Sequence, residues 1–317
     1  MFRRSWVATV ATALTAIAVT ACAAAPVATD PPPGATGPSP GCGATTQGPV
    51  TDQADTVSVE GASRRYRITV PPNHSPGTTT PIPLVLDFHG LIEGWAGTHP
   101  LATQFSAKAN ANGFAVVYPV GSNNGVNWDV SLKESNPDLK FIDTLLTELE
   151  NTMCIDRSRV YITGLSYGAF MTSMLMCMRA NTFAAAAPVA GIQNPCTATE
   201  RSVPFVTFHG TSDPILPYPL FADIPQAIAT KYGCANPPTL TTLQPDPDPV
   251  TYGAITRITW DCRSVDTAAE FYRIDGGGHS WPGSRFFGLI RFIVGPTATS
   301  IDATDIIWEF FTEHHLE

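Results

Sequence analysis

Short, uninterrupted apolar runs recur at wide spacing along this chain. Residues 83–88, 114–118, 159–163 and 204–208 are the clearest. A run without polar alternation fits a strand covered on both faces, as in a parallel sheet. Residues 56–59, 65–70, 184–189, 255–260 and 269–274 also read as strands. Other segments have a helical period. Between residues 138 and 153, Leu139, Ile142, Leu145, Leu146 and Leu149 fall on one face, and Asn136-Pro137 supplies a start signal. Residues 167–178 are apolar with small side chains, and residues 301–311 carry a last amphipathic pattern. Strands alternating with helices predict an α/β fold with a mostly parallel central sheet flanked by helices. The first two strands, joined by Gly61-Ala62-Ser63, predict an antiparallel hairpin at the sheet edge. No internal repeat or second domain is visible, so residues 42–317 are expected to form a single domain.

The N-terminal pattern differs. Arg3 and Arg4 precede an uncharged apolar stretch from Trp6 to Ala21. That stretch is shorter than the roughly 20 residues a membrane helix needs, so residues 1–21 read as a signal peptide. It ends Val19-Thr20-Ala21-Cys22, which resembles a bacterial lipobox and predicts lipidation at Cys22. Residues 22–41, rich in Pro, Gly, Ala and Thr, read as a tether that cannot bury a core. The expected location is extracellular, at the cell surface, with the membrane reached only through the lipid anchor.

Composition narrows the partners. Charged residues are 14% and hydrophobic residues 44%, which suits a sizeable core. The net charge of −9 argues against nucleic acid. Apart from Cys22 the cysteines are Cys42, Cys154, Cys177, Cys196, Cys234 and Cys262. An even number in an exported chain favours disulfides. With no Cys-x-x-Cys and no His pair at ligand spacing, no metal and no cofactor are expected. A monomer is expected.

The candidate chemistry centres on Gly164-Leu165-Ser166-Tyr167-Gly168. This G-x-S-x-G follows a buried strand pattern and opens a helical one, the strand–turn–helix setting that lifts a nucleophilic serine above a sheet. A serine hydroxyl needs a base, and the base needs an orienting acid. Asp213 follows the run at 204–208, and His279 lies in Gly276-Gly277-Gly278-His279-Ser280-Trp281 after the run at 269–274. Ser, Asp, His is the order this arrangement uses. The oxyanion needs two backbone donors. The Tyr167 N–H is one candidate. Leu91, in His89-Gly90-Leu91 after the third strand, is the other, with Gly90 as an alternative.

These blocks, together with Gly-Gly-His-Ser-Trp-Pro at residues 277–282, resemble the esterase group of polyhydroxybutyrate depolymerases and feruloyl esterases. The resemblance runs from about Gly41 to the C-terminus. It implies an α/β-hydrolase fold, a triad of Ser166, Asp213 and His279, and an ester substrate. It narrows the disulfides to Cys177–Cys196, Cys234–Cys262 and Cys42–Cys154. This chain departs from the group after the nucleophile, where Tyr167-Gly168-Ala169 stands in place of Asn or Ala followed by Gly-Gly. The implied activity is a serine carboxylic-ester hydrolase on feruloyl, acetyl or hydroxyalkanoate esters. A serine peptidase or acyltransferase on the same fold, and a non-catalytic surface lipoprotein, are the alternatives. Trp128 and Trp281 are expected at the rim of the site as aromatic walls for substrate. The apolar segment 285–294, beside the base, reads as a lid, a polymer-contact patch or a buried stretch.

Overall fold

The protein is described by a computed structural model covering residues 36–243, 253–264 and 267–317. The signal segment, Cys22 and most of the tether lie outside the described residues.

Among the described residues ten strands form one sheet: β1 (Val50–Val59), β2 (Ala62–Val70), β3 (Ile82–Phe88), β4 (Ala115–Pro119), β5 (Ile155–Leu165), β6 (Ala185–Val189), β7 (Phe205–Gly210), β8 (Thr239–Thr242), β9 (Ile255–Trp260) and β10 (Ala269–Ile274). The order is β1-β2-β4-β3-β5-β6-β7-β10-β9-β8. The six strands from β4 to β10 in that order run parallel. Antiparallel pairs flank them: β1 and β2 on one edge, β9 and β8 on the other. All seven residues of β3 are buried, as its continuous apolar run requires.

Among the described residues the helices include α1 (Glu93–Ala96), α2 (His99–Thr103), α3 (Phe105–Asn112), α4 (Pro137–Thr152), α5 (Tyr167–Met178), α6 (Ile224–Lys231), α7 (Arg285–Leu289), α8 (Arg291–Val294) and α9 (Ala303–Thr312). They cover both faces of the sheet. Leu84, Leu86 and Phe88 of β3 join α4, α5 and α6 in one core. Val85 points the other way and joins α3 and α9 in a second. The period of two along a strand thus feeds two cores, one per face. Asn136 caps α4, its side chain accepting from the Asp138 and Leu139 amides.

Three disulfides tie the fold: Cys42–Cys154, Cys177–Cys196 and Cys234–Cys262. The first fastens the N-terminal segment to the start of β5. Among the described residues no helix is long and apolar enough to cross a membrane.

Candidate active site

Parallel strands deliver their C-terminal loops to one edge, and adjacent strands deliver them side by side. Ser166 follows β5, Asp213 follows β7, and His279 follows β10, the neighbour of β7. The parallel sheet therefore brings the loops that carry these residues, more than a hundred positions apart from Ser166 to His279, to one edge.

Ser166 occupies the junction between β5 and α5 with φ 59 and ψ −115. A side chain at positive φ is strained and persists only where its surroundings impose it. Here the Ser166 amide donates to the Val189 carbonyl at 2.9 Å, and the Ser166 carbonyl accepts from the Ala169 amide at 2.9 Å. The turn also presses against β3. A Cβ at Gly168 would lie 1.9 Å from the Phe88 carbonyl oxygen, so no side chain fits there.

Asp213 is fixed from two directions. Its Oδ1 accepts from the Ile215 and Leu216 amides, each at 2.8 Å. Its Oδ2 lies 2.7 Å from His279 Nδ1. A carboxylate at that distance makes Nδ1 the protonated nitrogen and leaves Nε2 as an acceptor. Asp213 is thus a turn residue and an imidazole partner at once. The two loops are zipped together: the Ser212 amide donates to the Gly277 carbonyl at 2.9 Å, and a Cβ at Gly210 would lie 2.2 Å from that same oxygen. The His279 amide in turn donates to the Val294 carbonyl at 2.6 Å. The apolar segment thus forms two short helices whose buried end braces the histidine loop, while Leu289, Phe292 and Ile293 are exposed.

The oxyanion-hole candidates separate once hydrogen bonds are assigned. The Gly90 amide is committed to Glu93 Oε2 at 2.7 Å. Among the described residues the Leu91 amide has no acceptor, and Tyr167, first in its helix, has no intrahelical one. Of the candidate donors, the Leu91 and Tyr167 amides are left without an acceptor among the described residues, and the Gly90 amide is not.

Trp128 and Trp281 require a correction, because neither is a rim residue: both are about 1% exposed. The Trp128 indole donates to the His89 carbonyl at 2.9 Å and packs 4.6 Å from the His89 ring. The Trp281 indole donates to Thr304 Oγ1 at 2.9 Å, in the core beneath α9. A buried indole needs one acceptor for its N–H, and each has found one inside the protein rather than at a substrate surface.

The other strand-end histidines hold loops. His89 Nε2 accepts from the Gly121 amide at 2.9 Å, and Nδ1–H donates to the Gly90 carbonyl at 2.7 Å. Burial, only partly opposed by that carbonyl, depresses its imidazolium to about 4. His209 Nε2–H donates to the Leu216 carbonyl at 2.9 Å. Sequence reasoning passed over a further group, Asp87, Glu93, His99 and Thr103, which forms a buried polar chain behind the Gly90–Leu91 loop. One signal for it was present. Asp87 is a charge inside an apolar strand, and a buried charge demands partners. Among the described residues no cluster suited to a metal ion occurs.

This fold is that of an α/β-hydrolase. The structure aligns with the acetyl xylan esterase from Aspergillus awamori at a TM-score of 0.59 and 18% identity, covering 82% of this chain and 99% of that one. Residues 101–214 match the prolyl oligopeptidase family. Among curated proteins, feruloyl esterase D of Neurospora crassa is 30% identical over 57% of this chain and 64% of its own length. A bifunctional acetylxylan esterase/xylanase of Neocallimastix patriciarum is 27% identical over 70% of this chain. Poly(3-hydroxyalkanoate) depolymerase C of Paucimonas lemoignei is 35% identical over 38% of this chain. The chain spans 31% of the Neocallimastix protein and 30% of the depolymerase. Its homologues are thus feruloyl esterases, an acetylxylan esterase and a polyhydroxyalkanoate depolymerase.

Proposed function

We propose that the protein is a serine carboxylic-ester hydrolase, acting on feruloyl, acetyl or hydroxyalkanoate esters through an acyl-enzyme. The observation that carries this reading is the 2.7 Å contact of His279 with a backbone-pinned Asp213, on loops at the same edge of the sheet as the strained Ser166 turn. His279 Nε2 takes the Ser166 proton as Oγ attacks the ester carbonyl. Asp213 holds the imidazole in the required tautomer and stabilises the imidazolium. The Leu91 and Tyr167 amides receive the oxyanion. The same imidazole then protonates the departing alcohol, and activates water to release the acid. The esterase names of the relatives favour an ester over an amide.

The match to the prolyl oligopeptidase family supports a second reading, a peptidase on the same site, since residues 101–214 include Ser166 and Asp213. Turnover of p-nitrophenyl acetate and butyrate, abolished by Ser166→Ala, tests the enzyme. Rates on methyl ferulate, acetylated xylan, hydroxybutyrate oligomers and a peptide p-nitroanilide rank the substrates. Wild-type protein inert toward every ester would sink the esterase reading, and preference for the anilide would favour the second. Export by the N-terminal signal segment and anchoring through lipidated Cys22 complete the proposal.

A further inference from the structure

The loop that carries Leu91 holds a conformation its own residues do not favour. Ile92 has φ 64, a region that β-branched side chains avoid, and its side chain is exposed, so burial does not offset the strain. The same loop runs against the nucleophile turn. A Cβ at Gly90 would lie 3.4 Å from the Leu165 carbonyl oxygen, one residue before Ser166.

A buried polar chain closes this loop from behind. Glu93 Oε2 accepts from the Gly90 amide at 2.7 Å and lies 3.0 Å from His99 Nδ1. His99 Nε2 lies 2.8 Å from Asp87 Oδ1, and Asp87 Oδ2 accepts from the Thr103 hydroxyl at 2.6 Å. Asp87 precedes Gly90 by three residues and Glu93 follows it by three. His99 therefore links the two shoulders of the loop through charge-assisted bonds. Such a chain is a poor way to gain stability, because well-packed apolar residues do as well or better in a buried site. What it supplies here is geometry at the Gly90–Leu91 peptide.

We propose that Glu93 and His99 are positioning residues: Glu93 engages the Gly90 amide, His99 holds Glu93, and together they fix the next amide, that of Leu91, in the oxyanion hole. The proposal rests on the esterase reading above. Burial alone would lower the His99 imidazolium, but the facing Asp87 and Glu93 carboxylates reverse this and push it up to about 10. The bridge is therefore charged across the neutral range.

The test uses the full chain and p-nitrophenyl butyrate, with active sites counted by a fluorophosphonate. Ser166→Ala and wild type are measured first. A wild type inert toward esters, or turnover surviving Ser166→Ala, overturns the esterase reading and this proposal with it. Given a working triad, Glu93→Ala is expected to lower kcat per titrated site about a hundredfold, the scale of losing one oxyanion donor, while KM changes little. Affinity for a trifluoromethyl ketone, whose adduct places an oxyanion in the hole, should fall by a similar factor. Glu93→Gln keeps an oxygen for the Gly90 amide and should recover most of the rate. Should Glu93→Ala fail to fold, Thr103→Val releases Asp87 from its hydroxyl and should lower kcat in the same direction. Wild-type kcat and ketone affinity per titrated site in Glu93→Ala, or in Thr103→Val where that variant stands in, would overturn the proposal alone. So would a Glu93→Gln no better than the alanine variant.

Discussion

His99 is enclosed by two carboxylates, and its proton belongs to the fold. Its folded-state value of about 10 stands above the ordinary 6.5. A raised value contributes stability in full below about 6.5, and that contribution is lost as pH rises toward about 10. His89 has the opposite sign. Depressed to about 4, it contributes in full above about 6.5 and loses that contribution as pH falls toward 4. Urea midpoints measured from pH 4 to 10 should peak between these limbs. His99→Gln should flatten the alkaline limb and leave the acid one. An unchanged alkaline limb would show that the bridge is not the titrating group. The tryptophans give a second prediction at this scale. Trp128→Ala should cost about 3–5 kcal/mol of stability, as large core truncations do, whereas a wall residue would alter substrate preference at constant stability. Ser166, Asp213 and His279 stood out as candidates because each follows an apolar strand, Ser166 and His279 within glycine-rich turns. Trp128 and Trp281 were misread because an aromatic in a loop looks the same in sequence whether it meets substrate or an internal carbonyl. Glu93 and His99 carried no local pattern, since their partnership exists only after the loop folds back.

The β5–α5 element shows how little room the nucleophile turn has. Gly168 meets the Phe88 carbonyl where a methyl would stand, so α5 packs directly on the end of β3. Gly168→Ala must push the helix away from the strand. It should destabilise by about 1–3 kcal/mol and lower the fraction of molecules that react with a fluorophosphonate. Full labelling at wild-type stability would mean the turn adjusts freely. Sequence read these central elements closely because burial on both faces leaves an unbroken apolar run: β3, β5 and β7 were each found, and α5 was found with its ends. The periphery was less legible. All four residues of β8 (Thr239–Thr242) are exposed, so no hydrophobic pattern marks it. β1 begins at Val50, six residues before its apolar part, because an edge strand can pair through its backbone while its side chains stay in water. The helix α3 buries only Phe105 and Ala109, too few to show a period.

At the scale of the molecule, the entry of the chain and the candidate site lie at opposite ends of the sheet. Pro38 bridges Asp156, the Ser39 amide donates to the Ile155 carbonyl at 2.8 Å, and Cys42 is bonded to Cys154. All three contacts hold the N-terminal segment at the start of β5, whereas Ser166 follows its far end. At about 3.3 Å per residue that strand separates the two by roughly 30 Å. Lipidation at Cys22, as proposed, would attach the chain through a segment that enters at the end of the sheet away from Ser166, Asp213 and His279. Cys22→Ala should move the protein from the membrane fraction to the soluble one. Its kcat/KM for a soluble p-nitrophenyl ester should stay within about twofold of the anchored form, because residues 38–42 are held at the start of β5, away from Ser166. Unchanged fractionation would refute lipidation at Cys22. Fractionation that shifts together with a large change in kcat/KM would instead refute the separation of anchor and site, and would mean that the membrane shields or supports the catalytic end.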